Sequence, residues 1–253
     1  MAVSHFSSIG LQVASAADMQ ALIDRVVEDA EYVEARGGVY VVWQAGDGPE
    51  LWLQCDEDNT VIGLAPHFVG GSRVRIGLVA AIERPGQTAL DGSYFAWVNP
   101  RGEDYTEGDY PLVFDCPDAA ALEVEPPCET TVQLAAFAHH VEVWADAEAY
   151  ERGQQAEPRL ASRSFIPAGL FRGEDEAEPG PPVAYALITG HVTAAEVRVN
   201  PLSGANYWWA AVATHGATID VVLAVELVSD GLRVGNVLSG GFWLSGQVVG
   251  EDA

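Results

Sequence analysis

Residues 197–212 read VRVNPLSGANYWWAAV and show how the region Val183 to Val249 is built. An alternating charged and apolar segment, typical of a half-buried strand, ends just before Pro201, and an aromatic segment begins at Tyr207. Between them, Pro201 presets φ for the first central position of a turn, and Gly204 can adopt the left-handed conformation that closes it. The pattern therefore predicts two strands joined by a tight turn.

The same pattern continues through the whole region Val183 to Val249. Turn residues separate five β-like segments, at 183–199, 207–213, 219–224, 232–238 and 242–249. Short strands with glycine at the corners predict a small, strongly bent β-barrel. The region resembles an OB-type barrel, with only Val225 to Ser229 available for the helix that this family places between its third and fourth strands.

The segment before the predicted barrel has the composition of a linker. Residues 172–182 read RGEDEAEPGPP and contain four acidic residues and three prolines. Such a segment buries too little apolar surface to offset the entropy lost when it becomes ordered. We therefore predict a β-rich α+β domain at 1–171, an acidic proline-rich linker at 172–182, and a glycine-rich OB-like barrel domain at 183–253.

The start of the chain predicts a strand, a helix and three further strands. A strand is expected over His5 to Val13, and Ser15 with Asp18 forms the capping pattern of the helix that follows. Apolar residues then recur at helical spacing from Met19 to Ala30, and Gly37-Gly38 ends the segment. The next strands are predicted at 39–43, 50–54 and 61–64, which gives the order βαβββ.

This order is similar to one half of the vicinal-oxygen-chelate, or glyoxalase-like, fold, in which two such modules hold a metal ion between them. A strand at 130–144 and a short helix at 146–155 echo the first module, and strands at 73–84, 93–98 and 110–116 lie between. In that family a histidine at the start of a module's first strand is a metal ligand, and His5 matches that position. The resemblance implies a divalent metal site, whose candidate ligands are His5, His139 and His140 with Glu50, Gln54 or Glu142. The alternative is that these histidines are hydrogen-bonded structural residues.

Charge restricts the partners of this chain. Its 253 residues include 37 acidic and 12 basic residues, which gives a formal net charge of −25. A negative field of this size repels polyanions, so nucleic acid and anionic membranes are not expected as partners. No apolar segment approaches the roughly 18 residues of a membrane span, and three cysteines without CxxC spacing fit a reducing compartment. We therefore predict a cytoplasmic protein.

Several short segments of the sequence resemble a family of bacterial proteins of unassigned activity. They include SHFSSIG, PHFVGG, GDYPLVFDCPD, VQLAAFAHH and GGFWLSG. That resemblance implies a shared fold and cytoplasmic residence and supplies no catalytic residues. Serine-elbow and phosphate-loop motifs are absent from the sequence, and the aromatic residues near Trp208 and Trp243 are expected in the core or at a protein contact. The predicted role is non-catalytic binding of a protein partner or of a second copy of the chain. The alternative is a metal-dependent glyoxalase-like enzyme or a small-molecule binder.

Overall fold

A computed structural model describes residues 4–46, 48–155, 159–171 and 180–249 of the chain. The fold is α+β and rich in strands, as the sequence predicts. Within these residues, the α-helices are α1 (Ala16–Glu28) and α2 (Ala147–Gly153), and short 3-10 turns lie at 7–9, 119–121, 168–170 and 225–227. The strands are β1 (Glu31–Ala35), β2 (Gly38–Gln44), β3 (Pro49–Cys55), β4 (Val61–Phe68), β5 (Val74–Ala81), β6 (Ser93–Val98), β7 (Tyr110–Asp115), β8 (Cys128–Trp144), β9 (Ser164–Ile166), β10 (Tyr185–Val199), β11 (Asn206–Ala213), β12 (Thr218–Ala224) and β13 (Val237–Val249).

The predicted cap of α1 is confirmed. Ser15 Oγ accepts a hydrogen bond from the Asp18 backbone N–H at 3.2 Å, and the Asp18 carboxylate accepts one from the Ala14 N–H at 3.1 Å. The N–H of Asp18 in the first turn and the N–H of Ala14 just before the N-cap are thereby satisfied. Leu22 and Val26 are the buried residues of its apolar face. Among the residues described, neither helix has the length and apolar character needed to cross a membrane.

The predicted strand from His5 to Val13 is wrong. Residues 7–9 form a 3-10 turn, because the Ser7 hydroxyl donates to the Ser4 carbonyl at 2.7 Å and so offers the backbone a local partner. Gly10 ends that turn in the left-handed region, at φ 78°. In the described residues, α1 is therefore preceded by a 3-10 turn and followed by β1 to β4, a four-stranded antiparallel sheet, instead of the predicted βαβββ order.

The other strands form a nine-stranded mixed sheet in which β8 and β13 are the central pair. These two strands pair antiparallel along most of their length, from Thr131↔Val249 to Trp144↔Val237. The pair belongs to two closed rings. One runs through β12, β11 and β10, and the other runs through β5, β6 and β7.

This pairing corrects the prediction of a self-contained barrel over Val183 to Val249. Strand β13 pairs with β8 and β7, and β12 pairs in parallel with β8, so the region closes only with strands from the first 171 residues. One hydrophobic core contains Phe114 and Leu134 together with Phe242 and Leu244. Of the predicted linker, residues 172–179 lie outside the described residues.

The segments predicted as two strands at 232–238 and 242–249 contribute to a single strand, β13. Gly240 and Gly241 lie inside this strand. A Cβ on Gly240 would stand 2.1 Å from the His140 carbonyl oxygen, and one on Gly241 would stand 2.0 Å from the Tyr185 hydroxyl. These glycines allow close approach of neighbouring groups instead of turning the chain.

The four-stranded sheet is covered on both faces. One face packs with α1 and with Phe137 and Val222 of the large sheet. The other face carries Tyr40 and Trp52, which pack with Leu90 and Ala120. Where the edge of β4 approaches β7 and β13, the two sheets leave a cleft.

Candidate functional site

The cleft between the two sheets has a volume of about 280 Å³. Leu64, Ala65 and Pro66 of β4 form its apolar wall. A polar wall is formed by Arg84, Gln87, Asp91 and Ser93. Asp115, at the end of β7, and Trp243 and Ser245 of β13 also line it. The cleft therefore combines an apolar surface with several convergent polar groups, which is the composition typical of a small-molecule site.

The Asp115 carboxylate organises the polar wall. It accepts hydrogen bonds from Arg84 Nη1 at 2.7 Å, from the Ser93 hydroxyl at 2.7 Å and from Trp243 Nε1 at 2.6 Å. Arg84 Nε donates to the Pro182 carbonyl at 2.9 Å. The second terminal nitrogen of Arg84, Nη2, is buried and has no hydrogen-bond partner among the residues described. The guanidinium group is thus held through Nε and Nη1, while both N–H groups of Nη2 lack an acceptor among the described residues.

His5 lies at the rim of the cleft and stacks on Trp243, with ring centroids 4.1 Å apart and an interplanar angle of 4°. Its Nε2 atom is 3.1 Å from Nε2 of His139. Burial, and to a smaller extent the neighbouring His139, lower the pKa of His5 to about 4, with the Asp115 charge acting in the opposite direction. Burial also lowers the pKa of His139. Both rings are therefore neutral at neutral pH and can share one hydrogen bond.

The structure brings together only two of the four residues predicted to bind metal, His5 and His139. Glu50 is buried elsewhere, where its Oε2 atom accepts hydrogen bonds from Trp52 Nε1 at 2.8 Å and Gln247 Nε2 at 3.1 Å. His140 is exposed and lines a different cleft together with Glu142. Within the described parts of the chain, no group of three or more His, Cys, Asp or Glu side chains could hold a metal ion. The predicted ligand set is therefore not assembled.

Sequence reasoning missed a buried hydrogen-bonded chain that begins at Ser245, in the lining of the cleft. His67 Nδ1 is 2.7 Å from Ser245 Oγ, and His67 Nε2 is 2.8 Å from Gln133 Oε1. Gln133 Nε2 donates to the Asp220 carboxylate at 3.3 Å, and that carboxylate also accepts from Trp209 Nε1 at 2.8 Å. A sequence signal existed, because Gln133 and Asp220 are polar residues inside apolar strand segments, where a buried polar group needs a partner.

The Gln133 amide determines which nitrogen of His67 carries the proton. Because Gln133 donates through Nε2 to Asp220, its Oε1 atom faces His67 as an acceptor, and His67 must donate from Nε2. His67 Nδ1 is then a bare acceptor, and the Ser245 hydroxyl donates to it. Burial lowers the pKa of His67 to about 4, so the ring is neutral at neutral pH. The arrangement is a serine hydroxyl bonded to a neutral, oriented imidazole.

The aromatic residues near the C-terminal strands are largely internal. Tyr207 and Phe242 are buried, which confirms the prediction of core packing for these two residues. Trp209 is half-buried and is held between Asp220 and the Arg198 guanidinium, whose central carbon lies 4.3 Å from the ring centroid.

Comparisons of this chain with protein-family models, with curated proteins and with solved structures gave no match. A function for the chain must therefore be argued from the chemistry of the cleft itself.

Proposed function

We propose that the cleft between the two sheets binds a small uncharged organic molecule that carries a carbonyl-type hydrogen-bond acceptor. The observation that carries this proposal is the buried Nη2 atom of Arg84, which lacks an acceptor among the described residues. Buried donors in folded proteins are nearly always paired, because an unpaired one costs about 1–3 kcal/mol or more when charged. Arg84 lines the cleft, but Nη2 has almost no solvent-accessible surface, so the polar wall must shift for a ligand oxygen to accept from this donor.

The charge of the cleft favours an uncharged ligand over an anion. Asp91 and Asp115 line it beside Arg84, and His5 is neutral, so the two carboxylates outnumber the one guanidinium. The net charge of −25 adds a repulsive field for anions that approach from solution. A carbonyl oxygen accepts from Arg84 without bringing a further negative charge.

The size and surface of the cleft restrict the ligand further. A volume of about 280 Å³ lies just below the usual range of roughly 300–1,000 Å³ for small-molecule sites. Leu64, Ala65 and Pro66 offer apolar contact on one side, while Trp243 and its stacked partner His5 offer flat rings at the rim. The ligand class that fits is a small ester, lactone or amide with an apolar body.

Ligand-observed NMR with a panel of small esters, lactones and amides tests this proposal. Arg84→Lys retains the charge but cannot reproduce the separate guanidinium contacts, so we expect binding to weaken at least about tenfold. Arg75→Lys is the matched control, because Arg75 is an exposed residue paired with Glu129 and does not line the cleft. Wild-type protein that binds none of the panel, or Arg84→Lys protein that binds as well as wild type, would contradict the proposal.

A second variant checks the location independently. Ala65→Leu places extra volume against the apolar wall and should reduce binding without touching Arg84. Binding that survives this change unaltered would place the ligand outside the cleft. The protein partner or self-association expected from the sequence stays a prediction.

A further inference from the structure

We infer that Ser245 is a nucleophile for acyl transfer, with His67 as its general base, acting on a small ester bound in the cleft. This inference rests on the proposed function, since it requires a carbonyl ligand beside Arg84. The observation behind it is the unbroken hydrogen-bonded series Ser245, His67, Gln133 and Asp220.

The series contains the three roles that an activated serine needs. A nucleophile must lie within hydrogen-bond reach of a base, and a third group must orient that base. Ser245 Oγ lies 2.7 Å from His67 Nδ1, and Gln133 holds the opposite ring nitrogen at 2.8 Å. Asp220 in turn holds the Gln133 amide, and its second carboxylate oxygen is fixed by Trp209. Every member is thereby locked in one orientation.

Ser245 also stands in the right place relative to the proposed ligand. It lines the cleft, although only 1% of its surface is exposed, and its backbone pairs with that of Asp115 on the neighbouring strand. Asp115 holds Arg84 at 2.7 Å. Paired strands lie about 4.8 Å apart, so Ser245 and Asp115, the residue that holds Arg84, are neighbours. We assign the unpaired Nη2 donor of Arg84 to the carbonyl oxygen of the ester.

The reaction that follows consumes one ester and one water. Ser245 Oγ forms a bond to the carbonyl carbon while its proton passes to His67 Nδ1, and the carbonyl oxygen gains the negative charge. When the carbonyl re-forms, the bond to the alcohol oxygen breaks, and that oxygen takes the proton from Nδ1. Water then attacks the acyl-serine through the same base, and the serine oxygen recovers its proton as the carboxylic acid leaves.

The arrangement predicts a slow reaction. In the hydrolytic triad of serine enzymes a carboxylate contacts the imidazole directly and stabilises the imidazolium that forms. Here Gln133 stands between His67 and Asp220, so the carboxylate charge acts from a greater distance. His67 is fully buried, which disfavours its charged form. Accumulation of the acylated serine should therefore be easier to observe than rapid turnover.

The test uses the full chain and p-nitrophenyl acetate, an activated ester with a small acyl group. We expect a burst of p-nitrophenolate and one acetyl group on the peptide that contains Ser245, located by mass spectrometry. Ser245→Ala should abolish both, and His67→Gln should slow acetylation by at least about a hundredfold, because general-base catalysis is typically worth that much. Ser239→Ala is the matched control, since Ser239 lies on the same strand with its hydroxyl bonded to Thr189 at 2.8 Å.

The outcomes separate this inference from the proposed function. If wild type and Ser245→Ala both bind carbonyl compounds in the NMR experiment but wild type is not acetylated at Ser245, the nucleophile assignment fails and the binding function stands. If wild type binds none of them, both fail. Acetylation of another residue, at the same rate in Ser245→Ala as in wild type, would overturn the inference. This result does not depend on whether the His67→Gln variant folds.

Discussion

Glu50 provides a test of how burial of a carboxyl group changes the pH dependence of the stability of this fold. Its side chain is 4% exposed, and burial is the main reason that its pKa rises from 4.5 to about 7. The unfolded chain therefore loses this proton near pH 4.5, whereas the folded chain keeps it to about pH 7. Between these values the unfolded state is favoured more strongly as the pH rises, so Glu50 makes the protein progressively less stable.

Glu50→Gln removes this effect while retaining an oxygen that can accept from Trp52 and Gln247. A pKa rise from 4.5 to about 7 corresponds to about 3.4 kcal/mol, at about 1.36 kcal/mol per pH unit. At about pH 5 the ionisation of Glu50 in the unfolded chain has already cost wild type part of this free energy. From about pH 5 to about pH 8.5 the stability of the variant relative to wild type should therefore increase by about 2.5 kcal/mol. Any constant packing difference cancels in this comparison.

Urea unfolding of both proteins at the two pH values measures the difference. Glu57→Gln removes a carboxylate at an exposed position and should show a much smaller change with pH. A Glu50→Gln advantage that is the same at both pH values would refute the argument, because it would mean that folding does not alter the proton affinity of Glu50.

Three further predictions concern the core and its assembly. Acid should destabilise the protein as the pH falls from 6.5 to about 4, because the unfolded chain protonates His67 first. His67→Gln should remove up to about 3.4 kcal/mol of this pH dependence from the free energy of unfolding, measured by urea unfolding over the same pH range. Gly240→Ala should greatly lower the free energy of unfolding, since its Cβ would stand 2.1 Å from a backbone oxygen, and a melting temperature near wild type would contradict the close strand approach. A fragment of residues 183–253 should show no cooperative unfolding by circular dichroism, because two of its strands need β8 as a partner; a stable folded fragment would restore the predicted barrel domain.

Much of the secondary structure could be predicted from local sequence patterns. The cap at Ser15 and the strand over Ser93 to Val98 could be predicted because they depend on neighbours in the sequence. The glycines at 240 and 241 could not be interpreted locally, since a glycine that turns a chain and one that admits a close neighbour look alike. Which groups come near them depends on strand β8, about a hundred positions away.

The site was less accessible to sequence reasoning than the fold. His5 and His139 were both recognised as candidates, and they meet at 3.1 Å, but the carboxylate expected between them is not there among the described residues. The pair of Ser245 and His67 joins residues that are 178 positions apart. No local motif surrounds either residue, so only the buried polar positions at Gln133 and Asp220 pointed to the network.

The position of β13 in both rings has a consequence during synthesis on the ribosome. Of the strands described it is the last to emerge, yet β7, β8 and β10 all pair with it. Until it arrives, these three strands present unpaired edges, which are templates for wrong association between chains. We therefore expect the nascent protein to depend on chaperone protection until residue 249 has left the exit tunnel.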